Sequence, residues 1–176
     1  MPTRRLIALA AACLFTTAAI VGSLRIARAQ ALANPTGEVV LTVEGAIANE
    51  NAPGQANFDI AMIRAMPSVK FRTATPWTDE PADFEGVLIK DLLEAVSWKG
   101  KSLKAAALND YIVDLDADTL VSGGAILAYR VNGVDISVRN KGPLWIMFPF
   151  DDRPELKNEA VYIQSVWQLR RLTSLK

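Results

Sequence analysis

Residues 139–143 read Arg-Asn-Lys-Gly-Pro and set two cations, Arg139 and Lys141, on a short loop stiffened by proline. Such a loop is suited to gripping a phosphate or a polar side chain of a ligand, and backbone amides near Gly142 can assist. The remaining chemistry is bounded by what is missing. The chain has no histidine and a single cysteine, Cys13, near its start. Once that segment is removed, Ser-His-Asp and Cys-His catalysis, structural zinc and haem ligation by those residues are all excluded. Carboxylate chemistry, lysine chemistry or plain binding remain. Asp114, Asp116 and Asp118 alternate as calcium ligands can, but the loop lacks the glycine and the distal glutamate of a calcium loop. A solvated acidic turn with a capping aspartate is the simpler reading.

Cys13 lies in a stretch with the grammar of an export signal. Arg4 and Arg5 precede an apolar run over residues 6–24, and Ala27-Arg28-Ala29 presents small residues where a signal peptidase inspects the chain. Cleavage after Ala29 predicts a periplasmic protein, with the twin-arginine and general secretory routes both open; an uncleaved membrane anchor is the competing reading. Residues 30–176 then form a single domain, long enough to bury a core without cross-links. The whole chain balances 19 Lys and Arg against 19 Asp and Glu, and losing the arginines of the leader leaves it mildly acidic. That balance argues against nucleic acid as a partner, because phosphate neutralisation needs a concentrated basic face.

The elements that must hold these residues are mostly short strands. Residues 31–37 read as a flexible lead, and residues 39–45 as a first strand by β-branched alternation. Asn57 is a plausible cap for a helix over 58–66 that Pro67 ends. Residues 69–75 read as a strand, Gly86 as a turn, and Ile89, Leu92, Leu93 and Val96 as one helix face. Strands over 102–108 and 111–115 are broken at Asn109-Asp110. Asn132-Gly133 between apolar runs favours a tight hairpin, since both positions want positive φ. Strands follow over 125–131 and 144–148, then a polar excursion over 151–159, and residues 161–172 close the fold as an edge strand or a turn and strand. Many strands with few short helices predict an α+β class with a mixed, partly barrel-like β core.

Residues 130–150, with their NG, GP and P spacing, read together with WTDEPADFEGVLIKDLL from Trp77 and LNDY from Leu108. In combination they resemble the molybdopterin-binding domain of the sulfite oxidase superfamily. The resemblance covers roughly residues 39–172 and implies a sulfite-oxidase-type molybdopterin-binding fold. Catalytic members hold molybdenum through a cysteine thiolate, and the corresponding strand here, residues 69–77, carries threonines, which are poor substitutes for a soft ligand. Trp145 and Val166 also stand where catalytic members carry an arginine after Gly-Pro and a lysine before tryptophan. The chain is therefore more similar to the small non-catalytic branch of exported proteins thought to bind a free pterin, with molybdopterin less favoured.

A pterin needs stacking surface and an acceptor for its 2-amino-pyrimidine edge. On this resemblance Trp77 stacks, and Asp110, between Asn109 and Tyr111, orients the ring through two parallel hydrogen bonds. Arg139 and Lys141 grip its polar side, and Trp145 offers a second face or fills the core. Trp98 and Trp167 read as structural. The expected function is periplasmic pterin binding that feeds the periplasmic domain of an inner-membrane signalling receptor, without redox catalysis. Two readings compete with it: a molybdopterin-dependent oxidoreductase subunit with a non-cysteine metal ligand, and a structural module whose old cofactor cleft has filled with side chains.

Overall fold

The computed structural model describes residues 31–175; the expected export leader lies outside them. No helix among the described residues is long and apolar enough to cross a membrane. The alternation at the start of the domain forms β1 (Val39–Gly45), which buries Leu41 and Val43 completely. Antiparallel β2 (Gln55–Asp59) lies beside it and leads directly into α1 (Ile60–Arg64). Next come β3 (Ser68–Thr73), β4 (Ala82–Leu88) and α2 (Ile89–Ala95), whose buried face is Ile89, Leu92 and Leu93. The chain then runs through β5 (Ser102–Ala107), β6 (Ile112–Leu115), α3 (Ala117–Ser122), β7 (Ile126–Val131) and β8 (Val134–Asp135). Finally β9 (Trp145–Met147), α4 (Glu159–Tyr162) and β10 (Leu169–Leu175) complete it.

The ten strands among the described residues divide into two sheets, one ordered β2-β1-β10-β5-β6 and the other β3-β4-β7-β8 with β9 on β7. The class is α+β and the first sheet is mixed, because β1 and β10 run parallel while its other pairs are antiparallel. The two sheets form distinct ladders linked by a bridge between Trp145 and Trp167, and no closed barrel forms among the described residues. β10 is also central rather than an edge. Leu169 and Leu172 are fully buried while Arg170 and Arg171 are exposed, because a register shift against β5 between Leu169 and Arg171 breaks the alternation, so adjacent charges disguise an interior strand.

Three local expectations change for physical reasons. Gly86 lies inside β4, not in a turn; a Cβ there would come within 2.2 Å of the Leu127 carbonyl oxygen, so its smallness lets β4 and β7 approach. The helix expected over 58–66 begins later, because Phe58 is a buried β2 residue and Asp59, not Asn57, is the cap. The lead is tied down rather than flexible. Asp59 Oδ2 accepts from the Thr36 and Gly37 amides at 2.7 and 2.9 Å while Oδ1 accepts from Met62 N at 2.8 Å. By contrast Asn132 and Gly133 take the positive φ values that their hairpin requires, and Asp116 caps α3 as expected.

Amide donors from Met62, Gly37 and Thr36, in that order, pull the Asp59 carboxyl from its ordinary 3.8 down to about 2. A depressed folded value means stability that is fully present above the unfolded pKa and is lost as pH falls through the folded one. Thermal melts should therefore show native protein exceeding Asp59→Asn in melting temperature at pH 5, with the gap shrinking from about pH 4 to about pH 2. A gap independent of pH over that window would remove the carboxylate from this role.

Candidate functional site

The loop after β3 is built by hydroxyls. Pro76 leaves the strand, Trp77 N donates to Thr75 Oγ1 at 3.1 Å, and the Thr75 and Thr78 hydroxyls pair at 2.9 Å, which closes a small turn around Trp77. Asp151 straps this loop to the segment after β9. Its Oδ2 accepts from Ala74 N at 2.7 Å, its own amide donates to the Thr73 hydroxyl at 3.0 Å, and Lys157 pairs with it at 2.7 Å. The Lys157 ammonium and then the Ala74 amide hold the Asp151 carboxyl below the usual carboxylate range.

Trp77 thereby stands at the centre of an aromatic cluster. Its ring centroid lies 5.9 Å from Trp145, 5.9 Å from Tyr162 and 6.2 Å from Trp167, all edge-on, and 6.5 Å from Phe150. Edge-to-face packing of this kind adds to the area term and fixes ring orientation. Trp167 is placed by the backbone: Trp145 bridges to it, Ile146 N donates to Val166 O at 2.9 Å, and Leu169 N donates to Leu144 O at 3.0 Å. β9 thus hands residues 166–169 over to β10 and joins the two sheets. Asn158 caps α4 through Val161 N at 3.2 Å and sets Tyr162 at the helix end.

Between Trp77, Trp167, Tyr162 and Tyr111 opens a cavity of about 290 Å³, near the lower bound of pockets that hold small organic ligands. Asn109, Glu159 and Ser165 also reach its wall. Ser165 is 2% exposed, and its hydroxyl has no hydrogen-bond partner among the described residues. A buried hydroxyl left unpaired costs about 1–3 kcal/mol. The backbone of Ser165 is held in place, since the Trp145 indole donates to its carbonyl at 3.2 Å.

The residues expected from the sequence fall into three places. Trp77, Asn109 and Tyr111 meet in the cavity. Arg139, Lys141 and Trp145 line a second depression of about 390 Å³ that shares Trp77 with the cavity. There Lys141 sits 5.7 Å above the Trp145 ring, and Trp145 itself is 3% exposed, with Phe84 edge-on at 5.6 Å. The ring of Trp145 is thus covered by protein. Asp110 is brought to neither place: its side chain is 88% exposed, its backbone takes φ +62°, and it pairs with Arg170 at 3.1 Å. Sequence reasoning misses Tyr162, Ser165 and Glu159, and it assigns Trp167 a structural role. The one signal in the chain is the density of aromatic residues close to the C-terminus.

The donor set at residues 69–77, where the family resemblance puts the metal-binding cysteine, does not fit molybdenum. Thr73 is fully buried and its hydroxyl is bonded to Ala74 O and Asp151 N; the Thr75 hydroxyl is bonded to Thr78 and Trp77 N. Both oxygens are occupied in holding the Trp77 loop. Among the described residues no group of three or more His, Cys, Asp or Glu side chains is placed to hold a metal ion.

A scan against protein-family models gives no match, and a search of curated proteins gives none either. Among solved structures the chain is similar to the sulfane dehydrogenase SoxCD from Paracoccus pantotrophus, with a TM-score of 0.58 and 16% sequence identity. The likeness covers 77% of this chain but spans only 37% of the length of that one. At this identity it is a likeness of fold alone.

Proposed function

We propose that this chain is a periplasmic binding protein for a pterin, acting through binding rather than redox catalysis and presenting its bound state to the periplasmic domain of an inner-membrane receptor. The observation that carries the reading is a cavity walled by the rings of Trp77, Tyr111, Tyr162 and Trp167, with the polar side chains of Asn109 and Glu159 at its edge. Apolar pockets with a few convergent polar groups are what a flat heteroaromatic ring requires, because the rings supply dispersion and the polar groups set orientation. Asn109 adds to this, since its side-chain oxygen accepts from Tyr111 N at 3.2 Å while its amide nitrogen has no protein partner among the described residues. The occupied threonine hydroxyls support leaving a metal-centred reaction out of the proposal.

Calorimetric titration of the purified protein with oxidised and tetrahydro pterins tests the reading. Saturable binding and a raised melting temperature are expected. Ser165→Ala loses no hydrogen bond and removes a buried unpaired group, so the unliganded variant should melt no lower than the native protein. Absence of heat and an unchanged melting temperature with either pterin would end this reading.

The edge contact between Trp77 and Trp145 favours a second one, in which the ancestral cleft has packed shut and the scaffold serves a structural role. On that account Ser165→Ala raises stability by about 1 kcal/mol, and neither pterin binds.

A further inference from the structure

We infer that Glu159, not Asp110, is the carboxylate that selects the ligand, and that it selects rings carrying a 2-amino-4-oxo pyrimidine edge. This rests on the pterin reading above and adds to it the identity of the orienting group. Glu159 lines the cavity in the first turn of α4, and its carboxylate has no hydrogen-bond or ionic partner among the described residues. The segment it begins also supplies Tyr162, Ser165 and Trp167 to the same wall. Its backbone is held, because Ile163 N donates to Glu159 O at 3.1 Å and Ser165 N donates to Tyr162 O at 3.0 Å. One turn and the segment after it therefore place a carboxylate and two aromatic rings on the same wall. Both carboxylates are exposed, but Asp110 does not line the cavity and is paired with Arg170 at 3.1 Å.

An ionised carboxylate only accepts, so it matches two parallel N–H donors and repels a carbonyl oxygen in the same position. A pterin offers those donors at its N2 and N3. Lumazine, the same bicycle with oxygen in place of the 2-amino group, puts an acceptor where one donor was. Glu159→Gln replaces one acceptor with an amide donor and erases the distinction without changing size.

The test is calorimetric affinity for pterin and for lumazine in native protein, Glu159→Gln and Asp110→Asn. Native protein should prefer pterin by about tenfold, and Glu159→Gln should weaken pterin about tenfold while leaving lumazine unchanged or tighter. Equal affinity of the native protein for the two rings overturns the inference, as does loss of discrimination in Asp110→Asn rather than in Glu159→Gln. If neither ring binds native protein, the pterin reading itself has failed and Glu159 falls with it. If both bind equally, only the assignment of Glu159 is lost.

Discussion

Trp77→Ala is expected to bring ring binding below detection and to lower stability by about 3 kcal/mol. Large-to-small changes at packed aromatic positions cost about 3–5 kcal/mol, and the half-buried state of this indole sets the lower end. Trp77 packs against Trp145, Phe150, Tyr162 and Trp167 at once, and it lines both the aromatic cavity and the depression that holds Arg139 and Lys141. Its loss removes a wall that both spaces share and takes the edge contacts from Tyr162 and Trp167. Titration and urea melts measure both effects. Trp77→Phe keeps a ring with less area and should recover most of the stability but only part of the affinity; full affinity in Trp77→Ala would place ligand elsewhere.

Gly142→Ala is expected to cost about 3 kcal/mol and to weaken ring binding from a distance. A Cβ at Gly142 would lie 1.9 Å from the Ile136 carbonyl oxygen and 2.5 Å from its carbon, both backbone atoms that no rotamer change can move aside. Overpacking of this kind costs about 1–3 kcal/mol or more when backbone has to shift. The loop it distorts braces the cavity wall: Gly142 N donates to Ser137 O at 2.8 Å, Gln168 N donates to Lys141 O at 2.9 Å, and Gln168 Nε2 donates to Val138 O at 2.8 Å. Gln168 follows Trp167 directly, so displacing residues 137–142 displaces that indole. Urea melts with m-values, together with pterin titration at a temperature where both proteins are folded, separate the two effects. Native-like stability in Gly142→Ala would mean that the loop accommodates the methyl and does not position Trp167.

Elements with a strong local pattern are legible in the residues themselves. β1 starts and ends where its alternation does, the β7–β8 turn follows from Asn132-Gly133, and the buried face of α2 follows from spacing. What is not legible depends on distant partners. Gly86 has the composition of a turn, and only the close passage of β7 explains it inside a strand. The lead has the composition of a linker, and only the Asp59 carboxylate, already used as a cap, holds it. The double arginine of β10 resembles an exposed edge, and only pairing with β1 on one side and β5 on the other makes it central.

The candidate site divides in the same way. Trp77, Asn109 and Tyr111 are named through the family resemblance, and they lie in the loops after β3 and between β5 and β6, where loops carry side chains into clefts. Asp110 stands out as an acid between two of them, yet its positive φ turns the side chain outward to Arg170. Tyr162, Ser165 and Trp167 share no periodicity that would link them; the bridge between Trp145 and Trp167 is what assembles them.

The central proposal is that this scaffold holds a pterin ring and no metal. Its most direct test is elemental analysis and mass spectrometry on full-length protein purified from a host supplied with molybdenum and capable of making pterins. The account predicts a released small molecule of pteridine mass, lost in Trp77→Ala, with molybdenum far below one atom per chain. Stoichiometric molybdenum in the native protein would contradict it.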